Sequence, residues 1–240
     1  MERIYTIPIN EAFDASRDEK SLGCPLCALY RKLEENELEL SLGAPMMEPD
    51  IRIQMNNKGF CKSHYNQMMG RGNRLSLALI LESHMAELRD DISGKGIYAL
   101  LGSPGSEPLK RLEKYENTCY ICSKVNYHFD RIIQNTVALW NEEEAFKQKY
   151  KEQPYFCLSH YRRLLEYARH KLPKKAYAEF YRISSDIVLT YFDELNNDVS
   201  WFCKKFDYRY ENEPWHNAKD AIERAVKFLR GELNENSREK

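Results

Sequence analysis

Six of the seven cysteines fall into two matching sets, and each set is completed by a histidine. Phe60-Cys61-Lys62-Ser63-His64-Tyr65 returns as Phe156-Cys157-Leu158-Ser159-His160-Tyr161, and a Cys-x-x-Cys pair precedes each copy, Cys24/Cys27 and Cys119/Cys122. Between Cys27 and Cys61 lie 33 residues, and between Cys122 and Cys157 lie 34. Three thiolates and one imidazole are the ligand set of a tetrahedral zinc site, and four protein ligands leave no open position for a reacting water. The pattern predicts a duplicated unit with one structural Cys3His zinc per copy, two Zn per chain. Cys24, Cys27, Cys61 and His64 would hold the first, Cys119, Cys122, Cys157 and His160 the second.

Competing chemistries exist for the same residues. A thioredoxin-like dithiol needs a βαβ setting, which this chain does not display. An iron–sulfur cluster with one histidine ligand is uncommon but leaves zinc versus iron open. The remaining histidines do not repeat. Stepping back 95 residues, the offset between the Cys pairs, takes His128 to Leu33, and the 96-residue offset of the hexapeptides takes His170 to Arg74. His84 and His216 have no cysteine at ligand spacing, so all four read as ordinary histidines. Cys203 has no counterpart and reads as a small packed residue.

The elements that must position these ligands read as helices. Leu29, Tyr30, Leu33 and Leu40 recur at helical spacing over Ala28–Leu40. Gly43, Pro45 and Pro49 then break the pattern, so residues 41–57 are expected as loop with a short helical turn. Cys61 and His64 begin the next helix, which ends near Gly70 and Gly72, and a longer one follows from Asn73. In the second copy a helix is expected from Lys124 to Lys149, with a break at Pro154. Pro173 precedes a long helix to Phe202, striped by Ala176, Phe180, Ile183, Ile187, Tyr191, Leu195, Val199 and Phe202. A last helix covers Asn217–Leu233. Strand-like alternation is hard to find, and the fold class is all-α: two pseudo-repeated helical units, each stapled by a Cys3His zinc site, packed as one body with a C-terminal helix. The divisions are an N-terminal arm 1–18 with Ile4 and Ile7 lying on the body, a first unit 19–93, a glycine- and proline-rich linker 94–108, a second unit 109–202, and a tail 203–240.

A 42% hydrophobic content is enough for a core, and a net charge of −1 gives no global attraction to nucleic acid or membrane. No apolar run reaches the ~20 residues that cross a bilayer. The first residues lack a signal-peptide layout, so the expected location is cytoplasmic, where paired cysteines serve metals more than disulfides. One face, 161–182, is basic and aromatic, with Arg162, Arg163, Arg169, Lys171, Lys174, Lys175 and Arg182 among Tyr161, Tyr167, Tyr177, Phe180 and Tyr181. Such groups suit phosphates and stacked bases, yet a solvated helix face with core aromatics explains them equally simply and is favoured here. In the tail, Asp207, Arg209 and Trp215 are candidates for binding a polar ligand, or for fixing the last helix. No phosphate loop or nucleophile motif accompanies them, and no catalytic residue is assigned.

The duplicated motifs, followed by Lys205-Phe206-Asp207-Tyr208-Arg209 and Glu213-Pro214-Trp215, resemble an uncharacterised family of bacterial proteins, a domain of unknown function. The resemblance runs from Cys24 to Trp215. It implies a bacterial, cytosolic, metal-binding protein and transfers no activity. The reading is therefore a zinc-stabilised binding or adaptor protein with a protein partner. The alternatives are an enzyme whose pocket between the halves uses Asp207, Arg209 and Trp215, and a redox-sensing zinc protein.

Overall fold

A computed structural model describes residues 3–93 and 106–231. Among the described residues there is no strand; the order is α1 (Thr6–Asp18), α2 (Pro25–Leu42), α3 (Pro49–Lys58), α4 (Lys62–Gly70), α5 (Arg74–Ser93), α6 (Ser106–Asn117), α7 (Tyr120–Glu142), α8 (Glu144–Lys151), α9 (Leu158–Lys171), α10 (Lys174–Lys204) and α11 (Ala221–Arg230), joined by short 3-10 turns. The all-α class holds.

The sequence periodicity is realised most fully in α10. Phe180, Ile183 and Leu195 of its apolar stripe are buried, and the other stripe residues are half-buried. A 3.6-residue period puts all eight on one face, so the helix needs no further instruction to find its core side. Three expectations are corrected. The stretch 41–57 is not mainly loop, because Pro49 opens the ten-residue helix α3 rather than breaking one. Proline lacks only an N–H that the first helical turn leaves unbonded anyway, so it starts a helix well. The helix expected over Lys124–Lys149 is two, since Glu143 leaves the helical region with φ −123° and ψ 108° and α8 begins after it. The N-terminal arm is mostly helix α1. It is Ile9 and Phe13, both 0% exposed, that reach the core, whereas Ile4 and Ile7 are exposed. Of the linker, 94–105 lies outside the described residues, and 106–108 already belong to α6.

Packing divides the chain into Met1–Arg31 with Phe129–Lys240, and Lys32–His128. Both boundaries fall inside helices, α2 and α7. In the first unit an aromatic core gathers around Phe13, whose ring centroid lies 5.0 Å from that of Phe146. Trp140 meets Phe180 edge to face at 4.9 Å. Tyr150 is fully buried, and its hydroxyl is satisfied by Ser184 Oγ at 2.8 Å. Each such ring contributes about 1.5–3 kcal/mol of burial. In the second unit α3 packs along α5 and α6, with Met55, Leu77 and Ile80 buried. There His84, also buried, donates from Nδ1 to Asn56 O at 2.9 Å and stacks on Tyr115, and burial holds its pKa below the ordinary histidine value.

Candidate metal centres

All four cysteine motifs sit at helix starts. Cys24 and Cys119 immediately precede α2 and α7, and Cys61 and Cys157 cap α4 and α9 in extended conformation, with ψ of 158° and 153°. In each Cys-x-x-His the histidine is then the third helical residue, so sulfur and imidazole face the same way. Unbonded amides and the positive end of the helix dipole favour thiolate there.

The centres are assembled across the repeat, not within it. Cys24 and Cys27 meet Cys157 and His160, while Cys61 and His64 meet Cys119 and Cys122. The expected partnership inside each copy is thus corrected: each Cys-x-x-Cys is joined by the Cys-x-x-His of the other copy. Both centres lie wholly within one packing unit, the Cys24 centre in the first and the Cys61 centre in the second. Spacing along the chain could not decide the partnership, because both pairings give two equal Cys3His sets.

The separations fit a tetrahedral metal of zinc's size. Metal–sulfur and metal–nitrogen lengths near 2.3 and 2.05 Å imply S···N of about 3.6 Å and S···S of about 3.8 Å. In the first centre His160 Nδ1 lies 3.7, 3.4 and 3.3 Å from the sulfurs of Cys24, Cys27 and Cys157, and Cys27 is 3.6 Å from Cys157. In the second, His64 Nδ1 lies 3.2, 3.3 and 3.4 Å from Cys61, Cys119 and Cys122, and Cys61 is 3.9 Å from Cys122. Burial pushes the Cys24 thiol far up, and burial, reinforced by Arg163, pushes His160 down to about 3. Buried so, the four side chains could hold a metal ion, whose charge would offset that of ionised sulfurs.

The groups behind the two histidines differ. His64 Nε2 is 3.0 Å from Oε1 of Glu34, a carboxylate only 5% exposed. Burial, the largest single effect on His64, opposes its charge, but the sulfurs of Cys119 and Cys61 and the Glu34 carboxylate outweigh it and raise the pKa to about 11. Moving Glu34 forward by the 95-residue offset gives Phe129. That ring packs 4.9 Å from His160, with the Arg163 guanidinium 4.6 Å over it and paired with Asp130 at 2.5 Å.

The approach of the chain to each centre is also complementary. Gly23, before Cys24, has φ +74°, and a Cβ there would stand 2.7 Å from the Tyr155 hydroxyl. By the two offsets their counterparts are Thr118 and Gly59, so the large and small partners trade places. At that second centre Thr118 Oγ1 donates to Lys58 O at 2.7 Å and Tyr120 N–H donates to Gly59 O at 2.8 Å. Tyr155 stacks on Tyr191 at 4.1 Å and touches Phe228, tying α10 and α11 to the Cys24 centre. Glu34, Phe129, Gly23 and Tyr155 carried no motif that sequence reasoning could find; only the repeat offset marks them, and it does not reveal their contacts.

The tail residues take other positions. Asp207 and Arg209 bond to each other, with Nη2 to Oδ2 at 2.6 Å, and Asp207 Oδ1 also accepts the Arg209 N–H at 3.0 Å. Trp215 lies against Phe202 and under the Lys205 ammonium. Lys205 Nζ itself donates to three backbone carbonyls of the tail, Tyr210 O, Glu211 O and Glu213 O. The nearby open hollow is lined instead by His216, Asn217, Lys219, Asp220 and Arg224. Cys203 is exposed, which corrects its reading as a packed residue. On the face 161–182, Phe180 is buried, and Arg162, Arg163 and Arg182 pair with Glu166, Asp130 and Asp186. No helix among the described residues is long and apolar enough to cross a membrane.

Comparison with curated proteins and with solved structures gives no match. A family model does match, over residues 1–236, and by that span the chain belongs to the family described as a family of unknown function, DUF6062.

Proposed function

We propose that this is a zinc-stabilised binding protein, in which Cys24, Cys27, Cys157 and His160 hold one zinc and Cys61, His64, Cys119 and Cys122 hold another. The observation that carries the reading is the closure of both ligand sets. Four ligand atoms per centre lie within 4.8 Å of one another, three sulfurs and one nitrogen each. Such a set saturates a tetrahedral ion, so the metal's contribution is folding energy and the joining of helix starts distant in sequence, not substrate activation. Three thiolates and an imidazole favour zinc over harder cations.

A partner-binding role is supported by what the scaffold leaves outside. Phe206 and Tyr208, in the tail segment between α10 and α11, are 77% and 84% exposed. Two large rings held in water by an otherwise hydrogen-bonded tail cost free energy unless something covers them. Aromatics of this kind anchor protein interfaces. The partner is accordingly a protein, and the setting is the reducing cytoplasm in which thiolate–zinc sites persist.

The test has two arms. Elemental analysis of protein purified without added metal should return about two zinc per chain and little iron. Proteins cross-linked to the intact chain in cells should be lost when Phe206 and Tyr208 are both replaced by Ser, with zinc content unchanged. A brown, iron-containing product would sink the first arm; an unchanged cross-linking pattern would sink the second.

A further inference from the structure

The two centres are not equally reachable. At the Cys24 centre the sulfur-bearing residues Cys24, Cys27 and Cys157 are 1%, 5% and 0% exposed. Part of the cover is the end of α11. Gly231, buried and at φ +89°, lies so close that a Cβ on it would stand 3.6 Å from Cys157 Sγ and 3.8 Å from Cys27 Sγ. At the other centre Cys119 and His64 are each 2% exposed, but Cys61 and Cys122 are only half-buried. Those two are neighbours, 3.9 Å apart at sulfur, and they come from the starts of different helices, α4 and α7.

We propose that Cys61 and Cys122 are an oxidant-reactive pair, which a small peroxide converts to a disulfide while the Cys24 centre stays intact. The inference rests on the zinc reading, since metal-held sulfurs are thiolates at neutral pH and thiolates are the form that attacks peroxide. One thiolate attacks a peroxide oxygen, the O–O bond breaks, and the sulfur leaves as sulfenic acid with release of hydroxide. The second thiolate then attacks that sulfur and expels a second hydroxide. Two electrons pass from the two sulfurs to the peroxide, and no further reductant or oxidant is needed.

Geometry selects this pair over the others. A disulfide needs the sulfurs to close from 3.9 Å to about 2.05 Å, so each moves by about 1 Å. Cys119 is the deeper member of its Cys-x-x-Cys, and its sulfur already accepts the Cys122 N–H at 3.5 Å. Once Cys61 and Cys122 are joined, only His64 and Cys119 remain to their centre, too few to hold an ion. In the Cys24 centre a peroxide has no comparable approach, because all three cysteines are buried and Gly231 lies against the sulfurs of Cys27 and Cys157. The duplication thus supplies one centre that holds the fold and one that responds to the redox state of its surroundings.

The experiment uses the full-length chain carrying Cys203→Ser, which removes the exposed bystander thiol. Its zinc content is measured first. The protein is then titrated with hydrogen peroxide, zinc release is followed with a colorimetric chelator, and non-reduced digests are mapped by mass spectrometry. The expected result is loss of one zinc of two, roughly tenfold faster than the other, in step with a Cys61–Cys122 linked peptide. Release of both zincs together, or a first linkage at Cys119–Cys122 or Cys24–Cys27, would overturn the proposal. Fewer than two zincs before oxidant would instead refute the two-zinc reading. In that case the order of alkylation of the six thiols by iodoacetamide still decides, since Cys61 and Cys122 must react first.

Discussion

Glu34 Oε1 lies 3.0 Å from His64 Nε2, on the side of the ring opposite the three sulfurs that face Nδ1. With a metal in the centre, a buried carboxylate in that position would fix the imidazole tautomer, holding the proton on Nε2 and leaving the lone pair on Nδ1 for the ion. It would also make the imidazole a stronger donor to that ion. His160 has Phe129 where the repeat would place the carboxylate, so its ring is positioned by packing instead.

Glu34→Gln should therefore weaken metal binding at the Cys61 centre alone. Gln keeps the volume and one hydrogen-bonding oxygen but loses the charge. Losing the partner of a ligating imidazole costs about 10–100-fold in metal affinity. Chelator competition should show one zinc of two becoming easier to strip; equal retention of both would refute the role assigned to Glu34.

Cys157→Ser should cost far more than Cys203→Ser. Cys157 is 0% exposed and one of four ligands, whereas Cys203 is exposed and touches neither centre. Losing a ligand removes several kcal/mol of coupled folding energy, on the order of 10 °C in melting temperature for a chain of this size. Cys203→Ser should stay within about 0.5 kcal/mol of the parent. Thermal melts of the two variants, with zinc counted in each, check this.

Gly23→Ala should destabilise through two effects that a double mutant separates. The positive φ disfavours any side chain, and the new Cβ would meet the Tyr155 hydroxyl at 2.7 Å. Together these cost about 1–3 kcal/mol. Adding Tyr155→Phe removes the hydroxyl and should restore part of the loss, leaving the backbone strain. Urea denaturation of the four proteins in the cycle gives the coupling; strict additivity would show that the contact is not felt.

The face 161–182 should not bind nucleic acid tightly. Three of its arginines are already paired with carboxylates, and Phe180 is fully buried and cannot stack on a base. Arg169, Lys171, Lys174 and Lys175 remain exposed. Four phosphate contacts on a single strand would give a log–log salt slope of about −2.8 at most. A mobility-shift titration with RNA and single-stranded DNA should find only weak binding; a steeper slope, abolished by reversing Arg162, Arg163 and Lys175, would overturn this.

The sequence by itself determined the all-helical class and the two sets of cysteine and histidine motifs, because both are local. A 3.6-residue stripe such as Phe180–Ile183–Leu195 states which side of α10 faces inward, and a thiolate spacing such as Cys24-x-x-Cys27 states that two sulfurs share a turn. Pro49 shows the limit, since in a sequence a proline signals either the end or the beginning of a helix, and the surrounding packing makes it the start of α3. The pairing of the motifs was decided by the tertiary structure alone. Two near-identical copies offer two equivalent ways to complete a tetrahedron, and the local chemistry of the ligands does not distinguish them. What distinguishes them is which helix starts the cores bring together: α2 with α9, and α4 with α7. The same cores put Glu34 behind one histidine and Phe129 behind the other, and so made two centres of the same three cysteines and one histidine chemically unequal.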